Sequence, residues 1–394
     1  MNITICPCKL EGTVTAIPSK SQAHRFLICA AFSDKATYLQ CRETNQDIEA
    51  TVNCLRALGC DIQHTTQGYY IEPITSIPAY AEMNCCESGS TLRFMLPIVC
   101  ALGIDATIHM SGRLPQRPLS PLWEELIRMG CELTRPTPSS IRTIGKLRAG
   151  SYSIPGNISS QFISGLLFAL SLLDGDNTLT ITGEIESAPY IKMTQHALSV
   201  FGVKTDNFRL GRSFPFHSPG NITIEGDWSN GAFFFAAAAL GNNINVQGLD
   251  EHSLQGDRAI TDILKQAQPR QRISAANIPD LVPILSVFFA VNGGAEFTDI
   301  DRLRLKESDR VEAVIQMLNA LGIQAETDDH TLRVSGGVFK GGTVNSFTDH
   351  RIAMSAAIAA TVARESVTIL GAECVAKSYP TFWKEYRRLG GRYE

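Results

Sequence analysis

Six times along the chain a polar start opens onto an Ala/Leu/Phe-rich stretch of about three helical turns, then a turn, then a β-branched run. The stretches are SKSQAHRFLICAAF from Ser19, SGSTLRFMLPIVCAL from Ser88, SSQFISGLLFALSLL from Ser159, SNGAFFFAAAAL from Ser229, PDLVPILSVFFAV from Pro279 and DHRIAMSAAIAATV from Asp349. Strand-like runs follow at 106–110, 178–182, 244–246 and 366–370. Between these stretches lies a second, more polar helix that ends in glycine, as in 50–59, 121–130, 192–202 and 312–322. Glycine just past a helix end is the usual left-handed cap. Each unit therefore reads β-α-β-α-β-β. Successive starts lie about seventy residues apart, except between Ser229 and Asp280, where the interval is about fifty. The fourth unit is short: its second helix reads as 257–266, with no capped end or hairpin before Asn277.

A helix that is apolar all round must be buried. Three such units bury their helices against one another and leave their sheets outside, so six units predict two lobes. The break falls in the Pro/Gly-containing segment 219–227, giving a first lobe of residues 14–225 and a second of 1–13 plus 226–394. The first dozen residues have no helix of their own and complete the second lobe, which makes a two-strand crossover. The short fourth unit predicts an active chain of lowered stability.

Composition removes several classes of function. Lys and Arg number 35 against 39 Asp and Glu, so the bulk charge favours neither nucleic acid nor an anionic membrane. Anion binding must come from local clusters. The eleven cysteines are odd in number and scattered, and the opening MNITICPCKLEGTV carries no basic-then-apolar secretion pattern. A cytoplasmic chain with reduced thiols is expected. Cys6, Cys8, Cys85 and Cys86 lack knuckle spacing and accompanying histidines, so they read as small apolar side chains and no metal is expected.

The helix starts carry the chemistry. Four backbone N–H groups lack partners at each, and the macrodipole there is positive. Parallel helices aim these ends at one face, and two facing lobes would make a cleft suited to phosphate and carboxylate ligands. Serine at such positions is most often a plain cap. A cation is different, because it opposes the dipole. Lys20, Arg25, Arg93, His350 and Arg351 read as first-turn cations, a local conflict that points to function.

With these residues identified, the chain resembles the enolpyruvyl transferase family, and within it the shikimate-pathway branch. The motifs run in order from Pro18 to Tyr386: PSKSQAHR, ESGSTLR, GRLPQRP, SSQF, SAPY, IPD, RLRLKESDR, DHR and AKSYP. The resemblance implies a two-lobed inside-out α/β barrel with no metal or organic cofactor, acting as a monomer on phosphoenolpyruvate and shikimate 3-phosphate. It implies that Lys20, Ser21, Arg25, Ser159, Ser160, Gln161, Ser187, Asp280 and Lys306 hold shikimate 3-phosphate, with Tyr190 close by. Lys20, Gly89, Arg117, Gln161, Arg310, Arg351 and Lys377 would hold phosphoenolpyruvate. Planar guanidinium forks suit both its phosphate and its carboxylate. A side chain at position 89 would intrude on that ligand.

By the same resemblance Asp280 is the base for the 5-hydroxyl, and Glu307 or Lys20 the proton donor to the methylene carbon. The physics leaves those two open. Lys306 and Arg310 favour an ionised Glu307, bound dianions oppose that, and a lysine among cations has a lowered pKa. Glu87 and Arg302 depart from the common family pattern and are not taken as ligands. The rival enzyme is the branch acting on UDP-N-acetylglucosamine, which typically carries Lys-Asn where this chain has Lys20-Ser21, and a loop cysteine absent from GRLPQRP. The rival of another class is an inactive anion-binding scaffold.

Overall fold

The computed structural model describes residues 1–211, 213–328 and 330–394. Strands β1 (Asn2–Cys6) and β2 (Glu11–Thr15) open the chain. The first repeat follows as α1 (Lys20–Ala31), β3 (Thr37–Gln40), α2 (Gln46–Ala57), β4 (Asp61–Thr65) and β5 (Gly68–Glu72). The second is β6 (Tyr80–Asn84), α3 (Gly89–Leu102), β7 (Asp105–His109), α4 (Leu122–Arg128), β8 (Glu132–Thr137) and β9 (Ser140–Ile144). The third is β10 (Ser151–Pro155), α5 (Ser160–Leu172), β11 (Asn177–Thr182), α6 (Ala188–Val200) and β12 (Arg209–Leu210), after which comes β13 (Asn221–Thr223). The fourth has α7 (Trp228–Ala239), β14 (Asn243–Gln247) and α8 (Ile260–Lys265). The fifth is β15 (Gln271–Ser274), α9 (Val282–Val291), β16 (Gly294–Thr298), α10 (Arg310–Ala320), β17 (Ala325–Thr327) and β18 (Thr331–Ser335). The sixth is β19 (Gly342–Asn345), α11 (His350–Ala360), β20 (Val367–Leu370), α12 (Phe382–Arg388) and β21 (Arg392–Tyr393).

The second and fifth repeats show the full pattern. Their sheets run β6-β7-β9-β8 and β15-β16-β18-β17, a parallel pair followed by an antiparallel hairpin. The other repeats borrow or lose strands. The first takes β13, from after the third repeat, as its parallel first strand, giving β13-β3-β5-β4. The sixth is completed by the N-terminal strand, giving β19-β20-β1-β21.

Two departures from the expected unit of four strands and two helices stand out. Among the described residues the third repeat has almost no hairpin: β12 is two residues long and its sheet has three strands. In the fourth repeat β14 pairs only with β2, borrowed from the N-terminus. Asn243 N donates to Leu10 O at 2.9 Å and Ala16 N to Gln247 O at 2.8 Å, so the opposite edge of β14 carries no strand among the described residues. A groove of about 530 Å³, lined by Trp228, Val246, Leu249 and Leu264, lies beside β14.

Two compact units result, Pro18–Glu225 and Met1–Ile17 with Gly226–Glu394. The first boundary falls after Ile17 and not after residue 13. The reason is β2, which pairs with β14 along its whole length, while Asp227 N donates to Ile17 O at 2.8 Å. In the N-terminal unit α3 lies against α5 at Gly165, where an added Cβ would overlap the Arg93 carbonyl oxygen. Any larger residue there would push the two helices apart and undo burial, at about 1.5–3 kcal/mol for each large apolar side chain exposed. In the C-terminal unit α7, α9 and α11 each pack on the other two, and α9 is buried continuously from Val282 to Ala290. Among the described residues no helix is long and apolar enough to cross a membrane.

Candidate active site

In the N-terminal unit the helix starts are built by local caps. Ser19 Oγ accepts from Gln22 N, Ser88 Oγ from Thr91 N and Ser159 Oγ from Gln161 N. Ser160 is buried beside that last cap, and Gln161 Nε2 reaches across to Ser90 Oγ at 2.9 Å, tying the start of α5 to that of α3. Lys20 opens α1 and pairs with Asp47 of α2, Nζ to Oδ2 at 2.7 Å. That carboxylate offsets the conflict between a cation and the helix dipole.

The remaining arginines lie deeper than first-turn cations would. Arg25 is the sixth residue of α1 and Arg93 the fifth of α3. Arg25 is buried, with Nε donating to Thr194 Oγ1 at 2.8 Å, Nη1 to Ser21 O at 2.5 Å and Nη2 to Tyr190 O at 3.0 Å. Its guanidinium also covers the Phe94 ring at 5.2 Å. Burial draws its pKa down to about 10, which leaves it charged at neutral pH. Arg93 donates to Gly89 O at 3.4 Å and Pro118 O at 3.1 Å. An added Cβ on Gly89 would lie 2.7 Å from both Arg117 Nη1 and Arg93 Nη1, so the two guanidinium groups approach the bare backbone of α3's first turn.

Behind these starts runs a chain of hydroxyls. His24 Nδ1 meets Thr51 Oγ1, Thr51 Oγ1 meets Thr91 Oγ1, and Thr91 Oγ1 donates to Ser88 Oγ, each at 2.7 Å. Burial lowers the His24 pKa to about 3, so the ring is neutral. The network joins α1, α2 and α3, and nothing in the sequence distinguishes its threonines from ordinary helix residues. Ser187, before α6, holds φ 54°, Cys86 holds 48° and Thr348 holds 57°. Left-handed backbone is uncommon for such residues, above all for β-branched threonine, and clusters at sites that a fold over-determines.

The C-terminal unit gathers its ionic residues at the starts of α9, α10 and α11. Arg310, the first residue of α10, is fully buried. Its Nη1 donates to Asp280 Oδ1 at 2.7 Å, Nη2 to Glu307 Oε2 at 2.6 Å and Nε to Asp349 Oδ2 at 3.0 Å. Arg351 Nη2 reaches Asp280 Oδ2 at 3.0 Å, and Lys306 Nζ lies 3.8 Å from Asp280 Oδ1. Asp349 caps α11 through Arg351 N at 3.0 Å and accepts from Ser308 Oγ at 3.0 Å. Lys377 is buried at the end of a 3-10 turn that packs on α11.

Charge here is heavily coupled. Burial alone would raise the Asp280 carboxyl, but Arg351, Lys306 and Arg310 outweigh it and hold Asp280 well below the usual carboxylate range. Burial lowers Lys306 to about 8, with Asp280 opposing and Arg310 and Arg302 adding to the fall. The structure thus brings together Asp280, Lys306, Glu307, Arg310 and Arg351 in one unit. In the other it brings Lys20, Ser21 and Arg25 together on α1, Gly89 and Arg117 at α3, and Ser159, Ser160 and Gln161 at α5. Two further carboxylates, Asp47 and Asp349, fix these cations. Asp47 looks like an ordinary first-turn acid, and Asp349 like an ordinary cap.

Comparison with known proteins agrees along the whole chain. A family model described as EPSP synthase (3-phosphoshikimate 1-carboxyvinyltransferase) matches residues 6–276 and 268–386. The 3-phosphoshikimate 1-carboxyvinyltransferase of Clostridium kluyveri is 39% identical over 421 aligned positions, covering 100% of this chain and 98% of the relative. That of Clostridium perfringens is 38% identical over 418, covering 99% and 98%. Such alignments run longer than the 394 residues present here, so the relatives carry residues this chain lacks. The structure of an EPSP synthase from Acinetobacter baumannii superposes with a TM-score of 0.81 at 24% identity, covering 100% of this chain and 99% of that one. The enolpyruvyl transferase NikO from Streptomyces tendae gives 0.74 at 17%, covering 100% and 98%. These two likenesses speak to the fold, a mixed α/β architecture. The model match and the full-length relatives speak to descent, and they make this chain a member of the EPSP synthase (3-phosphoshikimate 1-carboxyvinyltransferase) family.

Proposed function

We propose that the chain transfers the enolpyruvyl group of phosphoenolpyruvate to the 5-hydroxyl of shikimate 3-phosphate, as a two-lobed inside-out barrel whose lobes are the two units. Lys20, Ser21, Arg25, Ser159, Ser160, Gln161 and Ser187 hold shikimate 3-phosphate, with Asp280 and Lys306 at its reacting end. Lys20, Gly89, Arg117, Gln161, Arg310, Arg351 and Lys377 hold phosphoenolpyruvate.

Asp280 takes the proton of the 5-hydroxyl as its oxygen bonds to C2 of phosphoenolpyruvate. C3 gains a proton from Glu307, with Lys20 the competing donor. The resulting tetrahedral ketal phosphate then loses phosphate from C2 and a proton from C3, which restores the double bond. The observation that carries this reading is the grip of Arg310 and Arg351 on Asp280 at 2.7 and 3.0 Å. A carboxylate so paired is a weak base. An anionic substrate that draws those arginines to itself weakens the pairing and raises the proton affinity of Asp280, so that base strength arrives with the substrate.

Phosphate release from phosphoenolpyruvate, measured with and without shikimate 3-phosphate, tests the proposal. Release is expected only with both substrates and is expected to vanish in Asp280→Ala. A folded protein that releases none would favour the scaffold reading, and release supported by UDP-N-acetylglucosamine instead would favour the other branch.

A further inference from the structure

We infer that Thr91, in the first turn of α3, is a positioning residue for phosphoenolpyruvate: its hydroxyl fixes the start of α3 at Gly89, and a one-way chain of hydrogen bonds from His24 holds that hydroxyl in orientation. The inference rests on the reading of Gly89 as a phosphoenolpyruvate contact.

Ser88, the cap of α3, stands directly before Gly89. Whatever fixes Ser88 therefore fixes the bare backbone that the Arg117 and Arg93 guanidinium groups approach. An ordinary cap needs only the serine oxygen and a backbone N–H. Here Ser88 Oγ accepts from Thr91 N at 3.3 Å and also from Thr91 Oγ1 at 2.7 Å. The hydroxyl contact is the shorter of the two, so the side chain of Thr91 holds the cap as much as its backbone does. The same hydroxyl lies 3.4 Å from Asp47 O, and the Asp47 carboxylate holds Lys20 at 2.7 Å. One buried hydroxyl thus stands between the start of α3 and the turn of α2 that anchors Lys20.

The chain behind Thr91 runs in one direction. His24 Nε2 is buried with no hydrogen-bond partner among the described residues, while Nδ1 meets Thr51 Oγ1 at 2.7 Å. An orphaned buried N–H is rarer than an orphaned acceptor, so the ring proton belongs on Nδ1. Thr51 then accepts from His24 and gives its own proton to Thr91 Oγ1 at 2.7 Å. The far end dictates the same order. Thr91 is the donor to Ser88, and a hydroxyl has one proton to give, so the Thr91 oxygen is left to accept from Thr51. His24, Thr51, Thr91 and Ser88 are each no more than 1% exposed, which keeps bulk water from reversing a link. A hydroxyl oriented in this way cannot turn to another acceptor, and the start of α3 is set before an anion reaches it.

Thr91→Val tests this in the full chain, because it keeps the shape of the side chain and removes the hydroxyl. The KM for phosphoenolpyruvate should rise about tenfold with the KM for shikimate 3-phosphate little changed, and Thr91→Ser should restore it. A purely structural hydroxyl would lower the melting temperature and leave both constants alone, or move both equally, and either outcome would overturn the inference. Nitrogen NMR of histidine-labelled parent protein reads the chain without substrate, and serves equally if Thr91→Val does not fold. The His24 ring, assigned by its loss in His24→Gln, should be the neutral Nδ1–H form. An Nε2–H ring would reverse the chain and overturn the inference. If the parent released no phosphate, the proposed reaction would fall. The Gly89 amide signal titrated with phosphoenolpyruvate would then take the place of KM, and equal affinity in the parent and Thr91→Val would count against the inference.

Discussion

Two buried arginines, one in each unit, are held differently. In the N-terminal unit Arg25 rests on neutral acceptors, the carbonyls of Ser21 and Tyr190 and the hydroxyl of Thr194. In the C-terminal unit Arg310 rests on three carboxylates, those of Asp280, Glu307 and Asp349. An arginine on neutral acceptors is fixed in place yet keeps its field for an anion. An arginine among carboxylates is neutralised until an anion competes for it. The first arrangement suits steady binding. The second couples binding to a change in the basicity of the carboxylates themselves, which is what a proton-transfer step requires.

The largest expected effect that would break this contrast is on stability. Arg310→Ala leaves three carboxylates facing one another in a buried site, and breaking such a cluster is expected to cost about 3–5 kcal/mol. Arg25→Ala, which leaves only neutral acceptors, should cost less, about 1–3 kcal/mol. Urea unfolding of the two variants measures both, and equal losses would mean that the carboxylates matter less than burial.

A second test uses pH. The folded His24 pKa, about 3, lies below its unfolded value, so the folded state binds fewer protons than the unfolded one. Stability is then complete above the ordinary histidine range and is lost as pH falls toward 3. Asp257 behaves in the opposite sense. Its folded pKa, about 7, is raised, so stability is lost as pH climbs from the ordinary aspartate range toward 7. His24→Gln, which retains a partner for Thr51, should remove about 2 kcal/mol of the loss between pH 6.5 and 5. Melting curves at those two pH values check it, and an unchanged pH slope would place the acid sensitivity elsewhere.

The smallest expected effect sharpens the account of the N-terminal unit. Gly89→Ala puts a methyl group 2.7 Å from the Arg117 and Arg93 guanidinium groups, which must shift to accept it. The KM for phosphoenolpyruvate should rise about tenfold, or about 1.4 kcal/mol, with the KM for shikimate 3-phosphate little changed. A uniform rise in both constants would point to a general distortion of α3.

Much of the architecture was legible in the sequence because the repeat writes it in local signals. Apolar stretches of helical length, hydroxyl or acidic caps such as Ser88 and Asp349, and glycine after the second helix each act within a few residues. The shortage in the fourth repeat was legible for the same reason, as an interval about twenty residues too short. Its consequence was legible only in part: the helix-less N-terminus was expected to complete the second lobe, but that β2 would be the one strand beside β14 among the described residues leaves no local mark. The loss of the third repeat's hairpin was hidden by normal spacing, the connecting residues being present but mostly not paired.

In the candidate site the division is similar. Lys20, Gly89, Asp280 and Arg351 stand in short motifs beside helix starts, and their residue types alone suggest anion chemistry. The starts of α1 and α3 fall at Ser19 and Ser88 as the pattern indicated, but Arg25 and Arg93 lie six and five residues past these caps, beyond the first turn, so the first-turn reading of both was wrong. Asp257 was passed over as the first residue of a polar helix in a damaged repeat.

The amino-acid sequence by itself determined the six units, the α/β class, the candidate ions and the family to which the chain belongs, because periodicity, capping and motif order are properties of neighbouring residues. Only the tertiary structure decided which strands complete which sheet, that Arg310 is shared by three carboxylates, and that Asp257 is buried with one oxygen lacking a hydrogen-bond partner among the described residues. Those facts depend on distances between segments far apart in the chain, and on the loss of water around charges that distance brings together.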